Sequence, residues 1–330
     1  MREVHFYEKI PPQKVRCGIC PHRCLISEGE YGICRVRKNS DGLLYATNYA
    51  QCAASGLDPI EKKPLYHFYP GSTILSFGAL GCNFRCDFCQ NWQIAQARVP
   101  TQELKPEGAV QSALEVGRDC IGIAYTYSEP LMWYEFIMDT APLAREKGLK
   151  NVIVTNGYIN SKPLAALLPY IDALNIDVKA FRPEFYQKLC GAKLEPVLAT
   201  VRACVEAGCH VEVTNLLVTG LNDAEEEISQ LVDWIYSLDP KIPLHFSRYF
   251  PSYKLDLPPT PLKTLEGAYK IAKKKLPHVY LGNIRDRLGS NTTCPQCGKI
   301  VVERDGYGVE TKGLDGGKCR NCGEQVMKFA

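Results

Sequence analysis

The strongest constraint in this 330-residue sequence is the placement of its sixteen cysteines, eleven of which fall into three short groups. The three groups are Cys17, Cys20, Cys24 and Cys34; Cys82, Cys86 and Cys89; and Cys294, Cys297, Cys319 and Cys322. Cysteine is among the most buried residue types, so isolated cysteines are expected to lie in the core. The isolated ones are Cys52, Cys120, Cys190, Cys204 and Cys209.

The grouped cysteines are predicted to bind metal rather than to form disulfides. The first residues lack the apolar run of a secretory signal, so we expect a cytoplasmic protein. Thiols stay reduced in the cytoplasm, and grouped thiols there are usually metal ligands or reactive groups.

Composition narrows the class of protein. Hydrophobic residues make up 45% of the chain and charged residues 23%, which excludes a disordered or fibrous protein. The net charge of +3 gives no reason to expect nucleic acid as a partner. No apolar run is long enough to span a membrane, so we expect no membrane partner either.

The middle of the chain alternates short β-branched runs with helical patterns, which predicts an α/β fold built from repeated βα units. A helix is predicted over 223–238, where apolar residues recur at helical spacing behind Asn222 and Asp223. The spacing does not separate a partial barrel from a doubly wound sheet. The six predicted strands are 73–77, 121–126, 151–155, 173–178, 210–218 and 243–249.

Three regions follow from this pattern. Residues 1–70 form an N-terminal Cys-rich segment, residues 71–288 form the α/β core, and residues 289–330 form a separate module. The last region is distinguished by short hairpins that Gly and Cys interrupt.

The central group supplies three thiolates from the loop that follows the first predicted strand. Iron–sulfur clusters are normally held by four protein thiolates, so a cubane held by Cys82, Cys86 and Cys89 leaves one iron open to a further ligand. The alternative is a structural zinc site, which usually has four ligands. The closest histidine, His67, precedes the strand, so the spacing favours the open cluster.

The Cys-x3-Cys-x2-Cys spacing, with Phe88 before the last cysteine, resembles the signature loop of the radical S-adenosylmethionine (SAM) enzymes. Segments 81–84 and 89–91 resemble the pyruvate formate-lyase activating enzyme branch, and more closely the radical SAM enzymes of the AmmeMemoRadiSam system. The resemblance covers residues 15–330. It implies a partial (β/α)6 barrel with the cluster in its first loop.

The resemblance also implies a chemistry and its partners. SAM would chelate the open iron of a [4Fe-4S] cluster, one electron would cleave its carbon–sulfur bond, and a 5′-deoxyadenosyl radical would abstract hydrogen from a substrate. Such an oxidoreductase needs a reducing donor such as flavodoxin or ferredoxin. The AmmeMemoRadiSam resemblance implies protein partners from the two families that give that system its name.

Seven residues are carried over as cofactor-binding positions. Glu129 matches the acidic residue of the family's Gly-Gly-Glu-Pro segment, with Tyr127 and Ser128 replacing the glycines. The full set is Phe88, Glu129, Asn156, Asp177, Lys179, Asn215 and His245.

Each of these positions also has a structural interpretation. Ser128-Glu129-Pro130 is an ordinary helix start with Ser128 as its cap, and Asn156-Gly157 is an ordinary turn. Asp177 and Lys179 are as often a surface pair, and a lone histidine such as His245 is more often a satisfied core residue.

The C-terminal group consists of two Cys-x2-Cys pairs, each followed by glycine, and predicts a zinc-ribbon-like module. A single iron held by the four thiolates is the alternative. The N-terminal group, Cys17 to Cys34, has irregular spacing and predicts a second metal site. A zinc-binding cap is the first interpretation of that site, an auxiliary iron–sulfur cluster the second, and His22 is a further candidate ligand.

Three functional hypotheses result. The first is a radical SAM enzyme with an unidentified substrate, and the second is an activating enzyme for a glycyl-radical enzyme. The third is a non-catalytic zinc-binding interaction protein, motivated by the two groups of four cysteines.

Overall fold

The computed structural model describes residues 1–284 and 288–330. Its N-terminal region forms two small antiparallel sheets of three strands each, with orders β1-β6-β5 and β2-β3-β4. These strands are β1 Arg2–Glu3, β2 Tyr7–Ile10, β3 Lys14–Cys17, β4 Leu25–Ile26, β5 Arg37–Ser40 and β6 Leu43–Ala46.

A nine-stranded sheet forms the centre of the molecule, in the order β15-β14-β13-β12-β11-β10-β8-β7-β9. Strands β8 and β10 to β15 pair in parallel, whereas β7 pairs antiparallel with β8 and with β9. The strands are β7 Gln51–Pro59, β8 Thr73–Ala79, β9 Gln102–Glu103, β10 Cys120–Tyr125, β11 Lys150–Thr155, β12 Ala173–Asp177, β13 His210–Leu217, β14 Leu244–Arg248 and β15 Val279–Gly282.

This sheet confirms the predicted α/β fold and its six parallel strands, with ends that differ by one or two residues. Three of its members, β7, β9 and β15, were not predicted. Strand β15 adds a seventh parallel strand, and β7 joins the sheet from a position before residue 71. Strand β12 illustrates why the parallel strands could be recognised, because all its residues except Asp177 are buried and its sequence is correspondingly apolar.

Helices connect the parallel strands. They are α1 Trp92–Ala95, α2 Pro106–Val116, α3 Tyr134–Glu146, α4 Ser161–Leu167, α5 Pro183–Phe185, α6 Leu194–Glu206, α7 Glu225–Leu238 and α8 Leu262–Lys273. Single turns of 3-10 helix lie at Ile60–Lys62, Pro130–Trp133 and Leu168–Tyr170, and one π-helical turn lies at Tyr186–Cys190. Within the described residues, no helix is both long and apolar enough to cross a membrane.

Helix α7 begins two residues later than predicted. The carboxamide oxygen of Asn222 accepts a hydrogen bond from the Val218 amide, and the carboxylate of Asp223 accepts one from the Gly220 amide. Both side chains therefore stabilise the preceding turn rather than the first turn of the helix.

The C-terminal module consists of short strands: β16 Thr292–Thr293, β17 Ile300–Asp305, β18 Gly308–Glu310, β19 Leu314–Asp315 and β20 Lys318–Cys319. Buried Arg304 attaches it to the core by donating to the Tyr66 carbonyl at 2.8 Å and by pairing with Glu61 at 3.5 Å. Phe329 packs on Phe68, whose ring stacks on His210 at the start of β13. The module thus covers the amino ends of the parallel strands.

Candidate active site

The three central cysteines lie in the loop that leaves the carboxyl end of β8. Cys86 is buried, and Cys82 and Cys89 are half-buried. Gly81 has φ +96°, and a side chain there would lie 2.8 Å from the Cys34 carbonyl oxygen. Glycine is therefore required at Gly81 both by the turn and by the N-terminal region packed against it.

The π-helical turn fixes the loop from the other side. The Arg85 amide donates to the Cys190 carbonyl at 2.9 Å, and the Asp87 amide donates to the Leu189 carbonyl at 3.1 Å. Cys190 is buried, as predicted for an isolated cysteine, and its thiol also hydrogen bonds Cys86 and lowers the pKa of that thiol. Sequence reasoning missed this contact, because 104 residues separate the two cysteines.

One cleft at the carboxyl ends of the parallel strands contains the three cysteines and most of the predicted cofactor-binding residues. The predicted residues that line it are Phe88, Glu129, Asn156, Asp177 and Lys179. Thr126, Thr155, Thr214 and Ser247 add hydroxyl groups to its wall. The carboxyl edge of parallel strands is where α/β barrels place ligand-binding groups, so the location agrees with a cofactor site.

Glu129 is a buried carboxylate fixed to the end of β11. Its Oε1 accepts from the Thr155 hydroxyl at 2.6 Å and from the Leu131 amide at 3.0 Å, and its Oε2 accepts from the Asn156 amide at 2.8 Å. Burial raises the pKa of Glu129 to about 7 in spite of these hydrogen bonds. The carboxylate therefore has unfilled acceptor capacity and gains from a positively charged ligand.

The bond to Leu131 also makes Glu129 the cap of the 3-10 turn Pro130–Trp133. The structural interpretation of this segment assigned the cap to Ser128, and the structure corrects it. The Ser128 hydroxyl instead donates to the Ala79 carbonyl at the end of β8.

Tyr127 replaces a family glycine and adopts the left-handed backbone that glycine would favour, with φ +66°. Its hydroxyl donates to Asp58 Oδ2 at 2.5 Å, and Lys63 Nζ lies 4.5 Å from its ring centroid. Gly56 and Gly78 leave space for it, since a Cβ at either would lie 3.0 Å from the tyrosine side chain. Contacts from β7 and its following turn thus hold the strained residue in place.

Asn156 contacts the metal-binding loop directly. Its Nδ2 lies 2.8 Å from Asn83 Oδ1 and 3.7 Å from Cys82 Sγ, and its Oδ1 accepts from the Tyr158 amide at 2.9 Å. The side chain is therefore fixed with its amide directed at a predicted cluster ligand.

Asp177 and Lys179 form an ion pair of 2.9 Å at the end of β12, the strand next to β11. Burial alone would lower the pKa of the Lys179 ammonium, but Asp177 and the thiols of Cys86 and Cys190 outweigh it and raise that pKa. Both residues line the cleft, and the side chain of Asp177 is 34% exposed there. Lys179 keeps its positive charge next to the cysteine loop.

Two predicted cofactor-binding residues lie elsewhere. The Asn215 amide donates to the Val178 carbonyl at 2.8 Å, whereas its neighbours Thr214 and Leu216 line the cleft. His245 lies deeper in the sheet interior, with Nε2 2.7 Å from the buried carboxylate of Glu212. Asn215 lies outside the cleft because side chains alternate between the two faces of a strand. His245 lies outside it because it is distant from the carboxyl edge of the sheet.

Sequence reasoning missed the lysines that the N-terminal region contributes to the cleft. Lys62 and Lys63 line it, and both pair with Asp58, at 2.7 and 2.6 Å. Burial alone would raise the pKa of the Asp58 carboxyl, but hydrogen bonds from both lysines and Tyr127 lower it. The sequence did contain a signal, namely two adjacent lysines shortly before the first core strand. They were not predicted as cleft residues because residues 1–70 were assigned to the N-terminal segment.

The C-terminal cysteines form a compact group of four. Their Sγ atoms all lie within 4.8 Å of one another, with 3.5 Å between Cys294 and Cys322 and 3.7 Å between Cys297 and Cys319. A tetrahedral zinc with bonds of about 2.3 Å places its thiolates about 3.8 Å apart. The donor set and its size therefore fit one tetrahedral metal ion.

The N-terminal cysteines also come together. Cys17, Cys20, Cys24 and Cys34 line one small cavity, together with His22 and Arg37. The cavity lies directly behind the central loop, because Asn83 of that loop forms part of its wall.

This arrangement is typical of α/β enzymes, which bind their ligands at the carboxyl ends of parallel strands. A profile of the Radical SAM superfamily matches residues 78–235. An uncharacterized protein of Methanocaldococcus jannaschii is 46% identical over 334 residues, and the match covers 99% of each chain. The pyruvate formate-lyase-activating enzyme of Clostridium pasteurianum is 25% identical over 161 residues, which is 48% of this chain and 67% of that enzyme.

The fold is also similar to that of solved structures. The crystal structure of a radical SAM methyltransferase from Sphaerobacter thermophilus matches with a TM-score of 0.52 and 18% sequence identity, over 65% of this chain and 67% of that chain. This chain belongs to the radical SAM superfamily, and it is similar in sequence to pyruvate formate-lyase-activating enzymes.

Proposed function

We propose that this protein binds a [4Fe-4S] cluster through Cys82, Cys86 and Cys89 and cleaves SAM at that cluster. The bound cluster would supply one electron that converts SAM to methionine and a 5′-deoxyadenosyl radical, which abstracts hydrogen from a substrate. The observation that carries the proposal is the convergence of three cysteines, Glu129 and Lys179 on one cleft.

The cleft residues have separable tasks in this proposal. Glu129 accepts hydrogen bonds from the ammonium group of SAM, because it is a buried carboxylate with a raised pKa and unfilled acceptor capacity. Asn156 donates to the Cys82 sulfur and fixes the position of the loop. Lys179 adds positive charge that stabilises the anionic thiolates.

The other requirements concern electrons and location. A one-electron donor of the flavodoxin or ferredoxin class would reduce the cluster. All sixteen cysteines are free, and an iron–sulfur enzyme needs a reducing environment, which supports a cytoplasmic location.

The experiment is anaerobic reconstitution with iron and sulfide, followed by SAM and dithionite and chromatography for 5′-deoxyadenosine. We expect product from the native protein and none from Cys86→Ala. Cys204→Ala is the matched control, because this buried cysteine lies outside the three groups and its loss should leave product formation intact. A fully loaded cluster that binds SAM and yields no 5′-deoxyadenosine would overturn the proposal.

A second candidate is more specific, namely that the substrate is a glycine of a glycyl-radical enzyme. It is favoured by relatives named as activating enzymes for pyruvate formate-lyase and 4-hydroxyphenylacetate decarboxylase. Exposed Gln90 and Asn91 at the cleft also place half-buried Cys89 close to the protein surface, where a polypeptide could reach it.

Candidate protein substrates carrying α-deuterated glycine distinguish this function. Transfer of deuterium to 5′-deoxyadenosine supports the activating-enzyme function. Transfer from a small molecule or from an AmmeMemoRadiSam-type partner protein refutes it. Retention of zinc alone, with no SAM binding, would support the non-catalytic interaction protein instead.

A further inference from the structure

Arg37 is a buried charge whose hydrogen bonds are incomplete. Only 1% of it is exposed, and its Nη1 donates to Glu135 Oε2 at 2.5 Å. Its Nε and Nη2 have no hydrogen-bond partner. Leaving two donors of a buried guanidinium unsatisfied is unfavourable, so these atoms indicate an acceptor that binds there.

The wall of the cavity next to Arg37 shows what kind of acceptor would fit. Arg37 lines this cavity together with four cysteines, of which Cys17, Cys20 and Cys34 are buried and Cys24 is half-buried. Four thiolates around one metal centre carry more negative charge than one ferrous or zinc ion neutralises. A guanidinium beside such a centre is stabilised by that charge and can donate to its sulfur atoms.

The spacing of the N-terminal thiols distinguishes an iron–sulfur cluster from a single metal ion. Within residues 1–284 and 288–330, the C-terminal cysteines are the sole group of three or more metal-binding side chains whose ligand atoms all lie within 4.8 Å. No three of the N-terminal thiols lie that close together, and the same is true of the three central cysteines, so both groups are more widely spaced than the C-terminal one. A cubane of four irons and four sulfides is larger than one zinc ion and requires this wider spacing.

We propose that Cys17, Cys20, Cys24 and Cys34 bind a second [4Fe-4S] cluster, with Arg37 donating hydrogen bonds to its sulfides. Arg37 is a positioning and tuning residue in this site, because it carries no ligand atom and acts through the charge and hydrogen bonds it directs at the cluster. The inference extends the proposed function, but the binding of this cluster does not depend on SAM cleavage.

The second cluster would lie beside the catalytic one. His22, between Cys20 and Cys24, has its Nε2 2.8 Å from the Asn83 carbonyl oxygen. Asn83 follows Cys82 directly, and it lines the N-terminal cavity. A single loop residue therefore separates the two sites.

This proximity gives the second cluster a role. An external donor of the flavodoxin or ferredoxin class would reduce it from the 2+ to the 1+ state. It would return to 2+ as it passes that one electron to the catalytic cluster, which goes from 2+ to 1+.

The decisive experiment removes the catalytic cluster and asks whether a cluster is retained. The variant C82A/C86A/C89A is reconstituted anaerobically, and iron, sulfide and zinc are quantified. We expect about four irons and four sulfides per chain, with an EPR signal after dithionite reduction. Zinc alone, or no retained iron, would overturn the inference. SAM cleavage by the native protein is measured separately, so the two failures are distinguishable.

A reciprocal variant, which removes N-terminal instead of central cysteines, keeps the test informative if the first variant misfolds. In C17S/C20S, iron should fall from about eight to about four per chain, because the central cysteines still bind their own cluster. In the fully reduced native protein, magnetic interaction between the neighbouring clusters should broaden the EPR signals, and either set of substitutions should abolish that broadening. About four irons in native protein and in C17S/C20S alike would refute the second site.

Arg37→Lys tests the tuning role. It keeps the charge that pairs with Glu135 but loses the unpartnered Nε and Nη2 donors, so the midpoint potential of the second cluster should become more negative in the C82A/C86A/C89A background. Arg23→Lys is the control, because Arg23 is an exposed residue that pairs with Glu8 at 3.2 Å. An unchanged potential in Arg37→Lys would show that the guanidinium does not contact the cluster.

Discussion

The Nδ2 of Asn156 lies 3.7 Å from the Sγ of Cys82, within reach of an N–H···S hydrogen bond. The same amide group also donates to Asn83 Oδ1, and the side-chain Oδ1 of Asn156 accepts from the Tyr158 amide. Asn156 is therefore held by the cysteine loop on one side and by the β11 turn on the other. Through this contact, a residue at the end of β11 influences the charge on the sulfur of Cys82, a proposed cluster ligand.

We predict that Asn156→Ala makes the reduction potential of the catalytic cluster more negative, by tens of millivolts. Hydrogen bonds to ligand sulfur stabilise the reduced, more negative state of a cluster, so their loss disfavours reduction. An EPR-monitored redox titration of the reconstituted protein measures the shift.

Asn215→Ala is the matched control for this substitution. Asn215 is an equally buried amide, but it donates to the Val178 carbonyl and lies outside the cleft. Its removal should leave the potential unchanged even if the protein is destabilised. Equal shifts in both variants would mean that general loosening, not the contact with Cys82, controls the potential.

The second prediction concerns Glu129 and pH. Burial raises the pKa of Glu129 to about 7, so the carboxylate that would accept from the SAM ammonium is lost as pH falls below that value. We expect SAM affinity to increase between pH 6 and pH 8. Because the folded pKa exceeds the unfolded one, this group also makes the cofactor-free protein less stable as pH rises from about 4.5 towards 7.

Glu129→Gln tests the assignment. The amide keeps one acceptor but cannot neutralise an ammonium, so we expect SAM affinity to fall about 10- to 100-fold and to lose most of its pH dependence, since a charged hydrogen bond is worth about 1.5–3 kcal/mol. Equilibrium binding to the reconstituted protein measures both effects. If SAM affinity in the variant still depends on pH, a group other than Glu129 causes that dependence.

The third prediction concerns the strained Tyr127. Its hydroxyl donates to Asp58, and this bond helps to hold a backbone conformation that tyrosine rarely adopts. Tyr127→Phe should lower the free energy of unfolding by about 2 kcal/mol, measured by urea unfolding of the cofactor-free protein. Tyr236→Phe removes an exposed hydroxyl on α7 and should have almost no effect. Similar losses in both variants would contradict the proposed role of the Asp58 contact.

The features that the sequence predicted correctly, the α/β fold and the superfamily, were those with a strong local pattern. The buried parallel strands are apolar along their length, as β12 illustrates, and the central cysteines have a spacing that few other structures require. Glu129 was identified through the resemblance to the family's Gly-Gly-Glu-Pro segment, and Asn156 because it follows a predicted strand at the carboxyl edge of the sheet.

The features that the sequence missed depend on tertiary contacts or on a one-residue difference. Asn215 was assigned to the cleft, but strand alternation places Thr214 there instead. Lys63 lines the cleft because β7 pairs antiparallel with β8 in the main sheet, and no local sequence pattern predicts that pairing. Arg37 and Cys190 become informative only through the partners that folding brings to them.

The last prediction concerns the C-terminal module and its metal. Its four cysteines are close enough for one tetrahedral ion, and a zinc ion bound there would fix short strands that have little core of their own. We expect Cys319→Ser to lose about one zinc per chain while the iron content is unchanged, as measured by elemental analysis. The melting temperature should fall, because the module contributes buried Arg304 and Phe329 to contacts with the core.

Cys209→Ser is the control for this variant, because Cys209 is half-buried and belongs to none of the three groups. It should retain both metals. If the purified protein is red and holds one iron in the C-terminal site, the metal of that site is a single iron and not zinc. Loss of the catalytic iron together with the zinc in Cys319→Ser would show instead that the module is required for the core to fold.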